Sequence, residues 1–216
     1  MKFFAVLCLL TAAAVQVYAF PGGAPVGACA TITPVGHISP GLANTASPPN
    51  PFALDVSGFP MCPSTSGSGG GYCYCPGEQY TMTLSGGNMQ PFRGFLVQGR
   101  LVADRTTPTG AFSNFGTDSR ASDCMPTTSA VTHVNPSRTD RTTQTLTWTA
   151  PAAGTGPIYF QSAVVVRYTP GTLNQFYAPF NSMDITEAPA TTCGACFTAA
   201  VSFWVVLALL VTTFLL

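Results

Sequence analysis

The sequence predicts an all-β domain built as two packed sheets. Two observations carry this. Short segments alternate apolar and polar residues with period two, and the stretches between them are rich in turn formers, with 21 Gly and 19 Pro in 216 residues. Helical periodicity is absent from the middle of the chain.

Taken in order, the first candidate strand is Phe52 to Val56. "YTMTLSG" then sets Tyr80, Met82 and Leu84 on one face against Thr81 and Thr83. "FLVQGRLV" follows, with Phe95, Val97 and Leu101 on one face. Ala111 to Phe115 and Ala130 to Val134 are shorter candidates. "TQTLTWTA" directs Leu146 and Trp148 inward, with Thr145, Thr147 and Thr149 outward. "IYFQSAVVVRY" offers Ile158, Phe160, Val164 and Val166 to one side. Alternation of this kind gives each strand one buried and one wet face, the antiparallel habit. About seven or eight such strands with Gly/Pro turns make a two-sheet sandwich.

Both ends differ from this middle. "MKFFAVLCLLTAAAVQVYAF" has the basic start, apolar run and small-residue cleavage site of a secretory signal, read as residues 1–19. Residues 61–76 form a Cys/Gly-rich loop. Residues 179–194 are Pro/Thr-rich without strand alternation and read as a stalk. Residues 195–216 are an apolar tail that no charged residue follows. Lys2 is the only lysine, and the eight basic and eight acidic residues balance. A nearly neutral chain lacks the footprint of a nucleic-acid binder.

Several segments together resemble the reelin (reeler) domain family. "FPGGAPVGACATITPVGH" is similar to that family's opening, "PGEQYTMTLSG" to its Pro-Gly-Glu strand entry, and "FRGFLVQGRLV" to its most recognisable strand. "CMPTTSAVTHVN", "LTWTAP" and "NQFY" follow in the family's order. The resemblance covers residues 20–178. It implies a Greek-key, immunoglobulin-like β-sandwich in an extracellular position, a fold that occurs alone in secreted insect defence proteins and at the head of larger proteins. The Cys loop looks like an insertion. Gly99 stands where the family usually has Ala, and the apolar tail is foreign to the secreted defence proteins.

A secretory route makes disulfides the default for these cysteines. The resemblance implies a bridge between Cys29 and Cys124. Cys62 takes one of Cys73 and Cys75, and one cysteine is left over. The expected disulfide set is Cys29, Cys124, Cys62 and Cys73, with the partners of Cys62, Cys73, Cys75 and Cys193 left open. Cutting the chain between Cys193 and Cys196 leaves an even number of cysteines. The small residues of "CGAC" before an apolar tail without basic residues match a glycosylphosphatidylinositol (GPI) attachment signal, with Cys193 or Gly194 carrying the lipid. The alternative is a single C-terminal membrane span.

No catalytic motif occurs. HExxH, Walker and Rossmann patterns are absent, and the carboxylates are scattered. No cofactor is expected. If Cys29 and Cys124 are bridged, His37 and His133 lie at similar distances along the chain from the bridge and are candidates for a shared metal, without a third ligand; ordinary backbone-bonded histidines are the alternative. Arg93, Arg100 and Arg105 are candidates for an anionic-glycan site, against solvated strand ends. Trp148 reads as core. "NPS" at Asn135 is not a glycosylation sequon. The functional expectation is a non-enzymatic cell-surface recognition module in host defence, with an extracellular ligand (glycan, microbial surface or protein) and the membrane as partners. A structural or adhesive coat protein and an accessory domain of a membrane redox system are the alternatives.

Overall fold

The computed structural model describes residues 22–34, 50–62, 71–134, 139–167 and 175–193. Strands β1 (Phe52–Asp55), β3 (Gln79–Gly86), β8 (Thr143–Thr149) and β5 (Ala111–Ser113) form a four-stranded sheet in the order β1-β3-β8-β5. A five-stranded sheet has the order β10-β9-β4-β7-β6. It comprises β4 (Gly94–Leu101), β6 (Ser119–Ala121), β7 (Ala130–His133), β9 (Ile158–Arg167) and β10 (Gln175–Asn181). Both sheets are antiparallel throughout. A short parallel pair joins β2 (Cys73–Tyr74) to β11 (Thr186–Glu187).

The inward faces are those that alternation predicts. Tyr80, Met82 and Leu84 of β3, and Leu146 and Trp148 of β8, meet Phe95 and Val97 of β4. Ile158, Phe160, Val164 and Val166 of β9 complete the same core. At its centre Trp148 is fully buried, edge-on to Phe160 with ring centroids 5.1 Å apart. Phe59 stacks on Tyr80 at 4.4 Å. The Trp148 indole Nε1–H donates to the Thr109 carbonyl at 3.3 Å, which settles the ring's one polar atom.

Two glycines admit this indole. Gly110 has φ +67°, and a Cβ there would fall 2.2 Å from Trp148 Cε2. A Cβ on Gly99 would come within 2.7 Å of the Thr109 oxygen that Trp148 engages. Here the Ala-to-Gly departure noted at Gly99 has a physical reason. Gly110→Ala, strained in backbone and in space, is expected to cost about 3 kcal/mol or more, seen as a lower urea midpoint at unchanged slope.

Three sequence expectations need correction. β4 has no wet face: Leu96, Gln98 and Arg100 are as buried as the core-facing residues between them. Residues 22–34 cover that outer face, and their lack of periodicity hides it from sequence reading. The strands expected at 52–56, 111–115 and 130–134 are each shorter. The stretch 179–194 is not a stalk as far as Cys193. β10 runs into it past a bulge and the cis peptide bond Ala178–Pro179, then Ile185 and Ala188 are buried and β11 pairs with β2. Pro179 and the bulge interrupt the alternation that would mark a strand.

Glu187 of β11 closes the neighbouring loop. Its carboxylate accepts the backbone N–H groups of Gly154 at 2.7 Å and Gly156 at 2.8 Å, and Tyr74 Oη lies 3.4 Å away. The Gly154 and Gly156 bonds hold its pKa below the ordinary 4.5. Burial, with Glu187 nearby, pushes the Tyr74 phenol up. A depressed carboxylate stabilises the fold above its unfolded pKa, and that contribution disappears as pH falls through the folded value. Glu187→Gln should therefore flatten the acid limb of stability below about pH 4.5. Melting temperatures of the two proteins between pH 3 and 7 check this: the curves are expected to converge towards acid.

Candidate functional site

The site is assembled on the outer face of the five-stranded sheet, where residues 22–34 lie across β4, β7 and β9. A 3-10 turn at Val26–Ala28 starts the covering segment, with Ala28 buried. Ala28 and Ile32 pack on Leu96, Ala130 and Ala163. Ile32 is fully buried at φ +50°, a left-handed backbone that a β-branched residue adopts only under compulsion from its surroundings.

Three sets of bonds supply that compulsion. Cys29 is bridged to Cys124 across 95 residues. Arg100, 4% exposed, donates from Nη2 to the carbonyls of Cys29 (2.7 Å) and Ala30 (3.0 Å), from Nη1 to Arg105 O, and from Nε to Gln98 Oε1. Thr132 Oγ1 accepts the Ala24 N–H and donates to Phe95 O, each at 2.8 Å. The buried guanidinium is thus satisfied by oxygens of the covering segment, of Gln98 on its own strand and of the turn after that strand.

Between segment and sheet lies a small cleft, partly open to solvent. Ala24, Pro25 and Ala28 form one wall, and Leu96, Ala163 and Val165 form the other. His133 also lines it. The His133 ring packs against Gly94, where a Cβ would come within 3.0 Å, and its Nδ1 lies 3.1 Å from the Phe95 N–H. The same Nδ1 also lies 3.2 Å from Phe95 O and 3.4 Å from Thr132 Oγ1, so the ring is held to the β4 and β7 backbone and side chains around it.

The cleft and the C-terminal segment occupy opposite ends of the sandwich. β4 runs from Gly94, paired with Val165 beside the cleft, to Leu101, paired with Ile158. Ile158 bridges to Ile185, and the chain then passes through β11 to Cys193, bonded to Cys75. Cys62 is bonded to Cys73. Cys75 and Cys193 are 118 residues apart, and no local pattern in the sequence links them.

The other candidate residues are dispersed. His37, Gly194 and Cys196 lie outside the described residues, and among the described residues no three His, Cys, Asp or Glu side chains group to hold a metal. The arginines do not form one patch. Arg93 pairs with Asp140 at the surface. Arg100 is neither a solvated strand end nor an anion site, because its donors are spent on the carbonyls and amide oxygen around it. Arg105 lies over the Tyr159 ring at 5.1 Å. The structural role of Arg100 was missed in the sequence, because Gln98 and Arg100 lie on the strand face that alternation assigns to solvent.

A family model described as the Reeler domain matches residues 27–191. The chain is 28% identical to "Putative defense protein 3" of Antheraea mylitta over 76% of its length and 88% of that protein's. It is 29% identical to "Putative defense protein 1" of the same organism, over 82% and 95%. Among solved structures, it is similar to the human F-spondin reeler domain at 24% identity and TM-score 0.49, covering 64% of this chain and 88% of that one. From Gly27 to Thr191, through both sheets and the strand that follows Pro179, this chain belongs to the Reeler domain family.

Proposed function

We propose that this protein is an extracellular, non-enzymatic recognition module of host defence, held at the cell surface by its C-terminal segment. Likeness to the two Antheraea mylitta proteins named "Putative defense protein", over most of their length, supports the defence reading. The three disulfides fit an oxidising compartment. They use six cysteines, Cys193 among them, which is the even set left by processing between Cys193 and Cys196. Lipid attachment at Cys193 or Gly194 uses a main-chain carboxyl group and leaves the Cys193 sulfur for Cys75. No helix among the described residues is long and apolar enough to cross a membrane.

Two measurements test the reading. Transcript and protein are expected to rise on microbial challenge, and cells displaying the full chain are expected to bind microbial surfaces. Constitutive expression in a structural tissue without such binding would instead support an adhesive or coat role. Phosphatidylinositol-specific phospholipase C should release the protein from cells. Retention, with the peptide after Cys196 still present in the mature protein, would mean a spanning tail.

A further inference from the structure

We infer that the end of the sandwich at which Cys193 leaves the domain rests on the zwitterionic headgroup layer of the membrane that carries the protein. The inference rests on the cell-surface reading above, and it holds for a lipid anchor and for a spanning tail alike. Cys193 is a fixed point of the fold. Its sulfur is bonded to Cys75, its N–H reaches the Pro189 carbonyl, and Ala188 donates its N–H to the Tyr74 carbonyl at 2.8 Å. Gly194, Ala195 and Cys196 separate it from the uncharged apolar stretch that begins at Phe197. Three extended residues reach about 10 Å. The opposite end lies the length of β4 away, 8 residues or roughly 25 Å. So short a link brings the Cys193 end to the membrane first. Processing at Cys193 or Gly194 shortens the protein link further, and the anchor's glycan then joins the lipid to this same end.

Three loops share that end. Gly77 donates to the Pro151 carbonyl and Ala150 to the Glu78 carbonyl, so residues 75–78 lie beside residues 150–157. Val102 donates to the Pro157 carbonyl, which adds the turn at 102–107. Glu187 holds Gly154 and Gly156 against β11, so this surface is formed before it meets anything. Its charges select the lipid. These loops and β11 carry Glu78, Asp104 and Glu187 against Arg105, an acidic excess that anionic headgroups repel. Anionic lipids mark the cytoplasmic leaflet and attract basic segments there. An end of the opposite sign suits the outer leaflet. The exposed apolar residues set the depth. Among the described residues the large ones are Val26, Met61, Met89, Phe115, Met125 and Met183, and none lies in these three loops. With no such side chain to bury among acyl chains, the end sits on the headgroups and does not enter the hydrocarbon.

The test uses the protein with its own anchor, purified from expressing cells and reconstituted in phosphatidylcholine vesicles that contain phosphatidylcholine with a nitroxide on its headgroup. Ala153→Trp puts a reporter on the exposed part of the 150–157 loop, and Met89→Trp puts one on the exposed turn at the opposite end. Fluorescence above that of the unaltered protein is read, and unchanged melting temperatures report that both variants fold. The nitroxide is expected to quench the Ala153→Trp signal at least threefold and to leave the Met89→Trp signal unchanged. Adding Cys75→Ser with Cys193→Ser frees the last residues from the domain and should remove most of that difference. Phosphatidylserine in place of part of the phosphatidylcholine should lessen the quenching, and stronger quenching would overturn the choice of zwitterionic lipid. Equal quenching of the two reporters, in protein that floats with the vesicles, would overturn the inference and leave the surface reading standing. Protein that does not float with the membranes of expressing cells would overturn the surface reading and the inference with it.

Discussion

Replacing Cys29 and Cys124 together by alanine is expected to lower stability by about 4–5 kcal/mol. The bridge closes a loop of 95 residues, and in the chain-entropy model a loop of that size restrains the unfolded chain by about that much. The loss should go beyond unfolded-chain entropy. Both sulfurs belong to the packed cluster of Ala28, Ile32 and Leu96. Without the bridge, the left-handed Ile32 loses one of the restraints that hold it. Chemical denaturation of the double variant checks the size. A change below about 1 kcal/mol would show that the segment needs no staple.

Arg100→Met is expected to cost about 3–5 kcal/mol, although it replaces a charge with an apolar group of similar length. Methionine fills much of the volume, but it leaves the buried Gln98 amide oxygen and the part-buried carbonyl bonds to Cys29 and Ala30 without their donor. Each orphaned acceptor costs about 1–3 kcal/mol. The effects of Arg100→Met and of bridge removal should not add, because both act on the attachment of residues 22–34. In a triple variant, the combined loss is expected to fall short of the sum by about 1 kcal/mol or more. Simple additivity would mean that the guanidinium stabilises the sheet and not the segment.

The sandwich core was legible because period two is a local signal. Tyr80, Met82, Leu84, Leu146 and Trp148 announce their face within a few residues, and all five lie in the inter-sheet core. The outer face of β4 was not legible in the same way. Gln98 and Arg100 are polar residues that alternation assigns to solvent, and only a segment some 70 residues earlier in the chain makes them buried. The end of the domain was hidden for a related reason. Pro179 and the bulge in β10 erase the alternation, so the residues up to Cys193 resembled a tether although Ile185 is wholly buried. The cleft depends on the same long-range placement. His133 was legible as a residue worth weighing, but its neighbours Ala24, Ala28 and Ala163 carry no chemical signal until the fold assembles them.

Residues 22–34 are a fixed wall of the domain. Amide hydrogen exchange of the full chain tests this most directly. The N–H groups of Ala28, Cys29 and Ile32 are hydrogen-bonded to Pro25, Val26 and Ala28 carbonyls within the segment. They are expected to exchange almost as slowly as the amides of β4, and at least a hundredfold faster in Arg100→Met with β4 still protected. Fast exchange of these three amides in the unaltered protein, beside a protected β4, would contradict the account, since the cleft would then lack its second wall.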